Sequence, residues 1–205
     1  MNTPGMPENV VLSPEGRICH MNLYVPALNL NKKMTYSATL LLPKATTNLG
    51  DIQKAVNAAI QKGVKDKWKG YMPPNLQLPV CDGDAYAAQK PEKRGAYVGQ
   101  WYINMKQNPD FGQPVILNEQ RVRSTNPQEV QGGDYVVVVL EFVPYDNLQQ
   151  GVTAIPKVVR KTRTGEHFGG GISEADALAL VGGEIDPAVA EVLAPTPPGN
   201  LSGIF

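Results

Sequence analysis

The sequence predicts a mainly β domain: a small Greek-key barrel with one helix, long inserted loops and a flexible acidic C-terminal tail. Three observations predict it. About five segments read as strands, some by period-two alternation and others by β-branched runs. One segment of the body has helical periodicity, and no strand–helix–strand rhythm of the kind that builds parallel sheets runs through the chain.

Taken in order, residues 1–15 carry Pro and Gly without a pattern and read as a flexible N-terminal arm. RICHMNLYVP (17–26) sets Cys19, Met21 and Leu23 against His20, Asn22 and Tyr24, a strand ended by Pro26. MTYSATLLLP (34–43) places Tyr36, Ala38, Leu40 and Leu42 on one face. Thr35, Ser37 and Thr39 lie on the other, polar enough to meet water or a ligand. Residues 49–64 form the helix, with Asn48 as cap, Asp51 at its positive end and an apolar stripe of Ile52, Ala55, Val56, Ala59 and Ile60. Gly63 is expected to close it.

Residues 65–95 form a Pro-rich, charged excursion, and loops of that length inside a domain are usually functional or disordered. AYVGQWYINMK (96–106) alternates Tyr97, Gly99, Trp101 and Ile103 against Val98, Gln100, Tyr102, Asn104 and Lys106. The short apolar run PVILN follows. DYVVVVLEFVPY (134–145) is β-branched almost throughout, and GVTAIPKVVRKTR (151–163) is a basic strand that Pro156 assigns to an edge or bulge. From Gly169 the chain contains no Lys or Arg. The expected organisation is an arm (1–15), a barrel domain (16–171) and a tail (172–205), with short helices around Ala175–Val181 and Pro187–Leu193.

The net charge of zero conceals an asymmetry. All 19 Lys and Arg and 13 of the 19 acids lie in residues 1–163, leaving that segment at +6 and residues 164–205 at −6. A basic body with an acidic end suits a polyanion-binding domain with an interaction tail. Two cysteines, Cys19 and Cys81, and two distant histidines, His20 and His167, lack the spacing of a disulfide framework or zinc site. No run is long enough to span a bilayer as a helix, and the N-terminus lacks the regions of a signal peptide, so a cytoplasmic protein is expected.

Enzyme chemistry finds little material. There is no phosphate-binding glycine loop followed by Lys-Ser/Thr, no nucleophile elbow and no His pair at helical spacing. Asp82-Gly83-Asp84 could offer carboxylates to Mg²⁺, but an Asp-Gly turn is the preferred reading. No cofactor, metal or catalytic residue is expected. Binding single strands requires cations along the phosphates and aromatic faces for unstacked bases. Three clusters qualify: Lys67, Trp68, Lys69 and Tyr71, with Lys65, after the helix; Tyr102, Asn104 and Lys106 on one strand face; and Lys157, Arg160, Lys161 and Arg163 on the last strand. Trp68 could equally pack the helix end, Tyr102 could be an ordinary strand aromatic, and the basic strand could be a solvated edge. The concurrence of three clusters favours binding. At the terminus, Ile204 and Phe205 would fill a partner's pocket while the carboxylate meets a basic rim.

In order and spacing, TYSATLLLPK (35–44) leading into the Ile52–Ile60 helix, LQLPVCDGD (76–84), YVGQWYINMK (97–106), EVQGGDYVVVVLEFVPYDN (129–147) and GVTAIPKVVRKTRTGEHFGGG (151–171) resemble the tailed-phage single-stranded-DNA-binding proteins. The resemblance covers roughly residues 16–171. It implies an OB-fold that coats single-stranded DNA in phage replication, recombination and repair, in the cytoplasm of the infected bacterial host, without strong sequence preference. It also implies DNA roles for Tyr102, Lys106 and the basic stretch after Gly151. The family ends in a dense acidic run, whereas this tail spreads its acids and finishes Gly-Ile-Phe. Phage replication proteins are the partners expected for the tail, and exposed β-edges would allow a homodimer. The competing reading is a non-catalytic phage scaffold, marked by a buried Trp68 and Tyr102 and by dispersed basic residues.

Overall fold

Alternating β-branched runs place one face of each strand against a common interior, and in the computed structural model they wrap into a closed ring. The structure describes residues 5–29, 32–90 and 94–168, the Arg94 side chain excepted. The strands are β1 (Val10–Leu12), β2 (Gly16–Leu28), β3 (Met34–Pro43), β4 (Val80–Asp82), β5 (Gln100–Gln107), β6 (Val115–Leu117), β7 (Tyr135–Asp146) and β8 (Gln150–Arg163). Helix α1 spans Gly50–Asp66, and α2 (Gly83–Gln89) and α3 (Arg94–Tyr97) are short.

Pairing runs β2–β3–β5–β8–β7 and returns to β2, where Gly16 and Arg17 meet Val136 and Tyr135. The β5–β8 junction is parallel and the other ring junctions antiparallel. This five-stranded Greek-key ring is the OB-type barrel. Its interior holds Ile18, Leu23, Leu40, Leu42, Ile103, Met105, Val136, Val138, Leu140, Phe142, Val152, Ala154 and Val159. The apolar stripe of α1 joins this core, as its spacing predicts.

Several expectations are corrected. Residues 10–12 belong to the sheet rather than to a loose arm: β1 pairs with Val139–Glu141, Val11 is buried, and the adjoining Ser13 hydroxyl accepts the Val138 N–H at 2.9 Å. In β2 the register shifts beyond Cys19 and His20 adopts φ 47°, which is a β-bulge. The extra residue reverses the alternation, so Cys19 lies under the outer layer while Leu23 points inward. Gly63 does not end α1, which continues to Asp66. It sits where a Cβ would come within 2.6 Å of the Trp68 ring, so its role is close approach.

The 65–95 excursion is largely ordered: it forms β4 beside β5, then α2, and leads into α3. Residues 94–97 are helical, so the predicted strand begins at Gln100. PVILN supplies β6, parallel to β8, and the ladder slips between Val139 and Leu140 where Pro156 stands, so the bulge reading of that proline holds. The short helices expected around Ala175–Val181 and Pro187–Leu193, the tail at 172–205 and the docking residues Ile204 and Phe205 lie outside the described residues. Among the described residues no helix is long and apolar enough to cross a membrane.

Candidate nucleic-acid interface

The outward faces of β2, β3 and β5 make a continuous surface, because the three strands are neighbours in the ring. Pairing fixes three rows across it: Arg17–Leu41–Tyr102, Cys19–Thr39–Asn104 and Asn22–Ser37–Lys106. The strict alternation of β5 turns Ile103 and Met105 inward and presents Tyr102, Asn104 and Lys106 outward, as the sequence predicts.

The rows differ in chemistry. In the last, Lys106 is exposed and the Asn22 amide donates to Ser37 Oγ at 3.3 Å. In the middle row, Thr39 Oγ1 donates to Asn104 Oδ1 at 3.0 Å, leaving the Asn104 amide nitrogen directed away from that bond. The first row is roofed by α2 and α3. Tyr86, Tyr97 and Tyr102 meet there at ring-centroid distances of 4.7, 5.2 and 5.4 Å, over a small outer core of Cys19, Leu41 and Ala87. Tyr97 is buried, while Tyr86 and Tyr102 are half-buried. Burial, helped by a hydrogen bond with Cys81, pushes the Tyr102 hydroxyl up to about 12, so it is a neutral phenol at physiological pH. Burial likewise pushes the Cys19 thiol up to about 12, although a hydrogen bond with Tyr97 and the nearby Arg17 oppose it. This thiol is a packing group, not a nucleophile.

The roof is pinned at its base. Asp82 caps α2 by accepting the Asp84 and Ala85 N–H groups at 2.8 and 3.3 Å. Lys44 Nζ lies 2.5 Å from Asp82 and 2.7 Å from Asp84, and 4.5 Å from the Trp101 ring centroid. Hydrogen bonds from Lys44 hold both carboxyls below the usual carboxylate range, opposed by their partial desolvation. The two acids therefore flank an ammonium group, and in place of the expected Asp-Gly turn the segment is the capped start of α2.

The other two clusters are placed differently from the expectation. Trp68 is fully buried: its Nε1–H donates to the Tyr145 carbonyl at 3.1 Å and its ring covers Gly63. Its surroundings correct its assignment as a stacking platform, because the ring closes the end of α1 against β7. Lys67, Lys69 and Tyr71 remain exposed on the following turn, where Lys69 takes φ 52° and Gly70 φ 85°. That turn is tied through Trp68 to the β7–β8 hairpin.

The basic strand is mostly self-neutralised. Lys157 lies 3.5 Å from Glu141, and Arg163 pairs with Glu15 at 3.2 Å while its guanidinium covers the Tyr135 ring at 3.2 Å. Lys161, only 12% exposed, meets the buried Asp134 at 3.0 Å and donates to the Glu129 carbonyl. Lys161 is a structural ion-pair residue, which corrects its assignment to DNA. Arg160 stays half-exposed between β6 and β7. Burial works against the Asp134 carboxylate, yet the N–H groups of Gln131 and Gly165 and the Lys161 ammonium hold its pKa below the ordinary value. Among the described residues no group of three or more His, Cys, Asp or Glu could hold a metal ion.

Sequence reading missed Arg17, Tyr86 and Tyr97 as members of this surface. Arg17 sits two residues before Cys19, so it shares that residue's face by period two. Tyr86 comes from the excursion and carries no periodic signal, and Tyr97, expected on the strand face opposite Tyr102, stands at the end of α3 instead.

The fold has counterparts among known proteins. At 27% identity the chain is similar to the single-stranded DNA-binding protein from bacteriophage Enc34 in complex with ssDNA, with a TM-score of 0.63, covering 78% of this chain and 90% of that one. It also resembles gp2.5, a single-stranded DNA binding protein encoded by bacteriophage T7, with a TM-score of 0.55 over 86% of this chain and 98% of that one; at 16% identity that likeness is one of fold. Protein p50 of Acyrthosiphon pisum secondary endosymbiont phage 1 is 26% identical over 163 residues, 71% of this chain and 80% of that protein. The family model described as Enterobacter phage Enc34, ssDNA-binding protein, matches residues 9–187, nearly the whole chain, and the chain belongs to that family.

Proposed function

We propose that this chain binds single-stranded DNA non-catalytically and with little sequence preference, along the outward face of β2, β3 and β5. The observation that carries the reading is the register that sets the half-buried Tyr102 and the exposed Asn104 and Lys106 on one outward strand face of an OB-type barrel, beside the hydroxyls of Thr39 and Ser37. In OB-folds the second and third barrel strands, here β3 and β5, form the oligonucleotide face together with the adjoining loops. A ring edge, an amide and a cation in successive rows suit stacking plus phosphate attraction, which need no particular base. Coating of single strands during phage replication, recombination and repair, in the host cytoplasm, is the setting that suits such a protein. A replication partner for the tail and a homodimer belong to the same proposal.

Two observations favour a second reading, a phage scaffold built on the barrel: Trp68 is sealed in the core, and Lys157, Lys161 and Arg163 are engaged by acids. Anisotropy of labelled oligo-dT separates them. Nanomolar to micromolar binding by the wild type, weakened by Lys106→Ala and Asn104→Ala, supports strand binding. No binding by the full chain at low salt leaves the scaffold reading.

A further inference from the structure

Beyond the roofed tyrosine row the outward surface does not end. It continues across β2 into a cleft of about 450 Å³ lined by Arg17, Leu41, Ala96, Tyr135, Arg163 and Phe168, among others. Arg17 is in register with Leu41, and Leu41 with Tyr102, so the cleft lies on the same row as the candidate face. At a strand spacing of ~4.8 Å, about 10 Å separates Arg17 from Tyr102. The two cations here are not equivalent. Arg163 is taken by Glu15, which also accepts from Thr162 Oγ1 at 2.6 Å. Arg17 donates to the carbonyls of Gly133 and Glu166 and has no acidic partner among the described residues.

The flat face of Arg17 is covered by a ring. Phe168 lies 4.0 Å from its guanidinium and is still 40% exposed. Hydrogen bonds place the segment that brings the ring: Phe168 N–H donates to the Gly132 carbonyl, Gly165 N–H to Asp134, and Arg17 to Glu166. A half-exposed phenylalanine on an uncompensated guanidinium has the shape and chemistry of a nucleobase stacked on arginine, an arrangement that single-stranded nucleic acids use.

We propose that this cleft is a second nucleotide subsite: a base of the bound single strand exchanges with Phe168 on the Arg17 guanidinium, extending the strand's path from Tyr102 across β2. The proposal rests on the strand-binding reading above. Arg17 supplies both a stacking plane and a positive charge, and the neighbouring Arg163–Glu15 pair keeps the cleft rim neutral.

The test is the length dependence of oligo-dT affinity, over about 4 to about 16 nucleotides, the range seen for one OB fold. Wild type, Arg17→Lys, Arg17→Ala and Phe168→Ala are compared in full-length protein. The longest oligonucleotides should bind roughly tenfold more weakly to Arg17→Ala, while the shortest change less than twofold. Arg17→Lys, which keeps the charge but loses the plane, should show the same length-selective loss with an unchanged salt slope. Phe168→Ala should tighten long oligonucleotides several-fold and leave short ones alone, because the competing ring is gone. Identical length profiles in wild type and all three variants would overturn the subsite while leaving the main face intact. Failure of the wild type to bind any length would instead remove the reading on which it rests. Circular dichroism and thermal melts identify an unfolded Arg17→Ala, in which case Arg17→Lys and Phe168→Ala decide.

Discussion

Gly63→Ala is a substitution for which two ordinary effects have opposite signs. Replacing a helical glycine by alanine should stabilise α1 by about 1 kcal/mol. At Gly63 the new Cβ would stand 2.6 Å from two Trp68 ring carbons and 2.8 Å from a third. The ring cannot retreat easily: it has no exposed surface, its Nε1–H is committed to Tyr145, and the Lys67 and Trp68 N–H groups both donate to the Gly63 carbonyl. Overpacking of this kind costs about 1–3 kcal/mol, and stretching the indole hydrogen bond adds up to about 1 kcal/mol. These ranges net to a loss of about 0–3 kcal/mol, and their midpoint of about 1.5 kcal/mol reads as a Tm roughly 3–6 °C lower for a domain of this size. Urea titration followed by circular dichroism gives the same quantity independently. Affinity for oligo-dT, measured where the variant is folded, should be unchanged. A variant more stable than wild type would show that Trp68 is free to move, and the account of it as a fixed wedge would be refuted.

Trp68→Phe removes the donor to Tyr145 and part of the packed ring, and should cost about 2–3 kcal/mol in urea unfolding without weakening DNA binding. Lys106→Ala should lower oligo-dT affinity and reduce the log–log salt slope by about 0.7, the signature of one lost single-strand phosphate contact. Asp134→Asn leaves Lys161 with a neutral partner in a nearly closed site and should cost about 3 kcal/mol at neutral pH. Because the folded Asp134 carboxyl sits below its unfolded value, its contribution is full above roughly pH 4–5 and is lost as pH falls through the folded value. The urea midpoint of wild type should therefore fall more steeply than that of Asp134→Asn between pH 5 and 3; parallel curves would exclude Asp134 from acid stability.

The ring was legible where period two was unbroken. β7 and β8 were legible as strands from their β-branched runs. In β5 the alternation of residue types named the faces, and the outward set Tyr102, Asn104 and Lys106 followed from it directly. It failed where one residue was inserted: the bulge at His20 moved Cys19 and Leu23 to opposite faces, an event with no mark in composition. β1 was missed because three residues flanked by Pro carry too short a pattern, although Val139–Glu141 pair with them. The basic run on β8 looked available because sequence counts charges but not partners; Asp134, Glu141 and Glu15 come from segments up to 148 residues away. Trp68 was ambiguous for a similar reason, since an aromatic after a helix can face water or fold back, and only Gly63 and Tyr145 decide.

The central claim is that the protein takes up single strands through stacking together with phosphate attraction. Its most direct test is competition between oligo-dT and a duplex of equal length for the full-length protein, followed by anisotropy at two salt concentrations. The account predicts tighter binding of the single strand at both, with affinity falling about 0.7 log units per neutralised phosphate per log unit of salt. Equal affinity for single strand and duplex would contradict it, because bases held within a duplex are unavailable to Tyr102 and its neighbours.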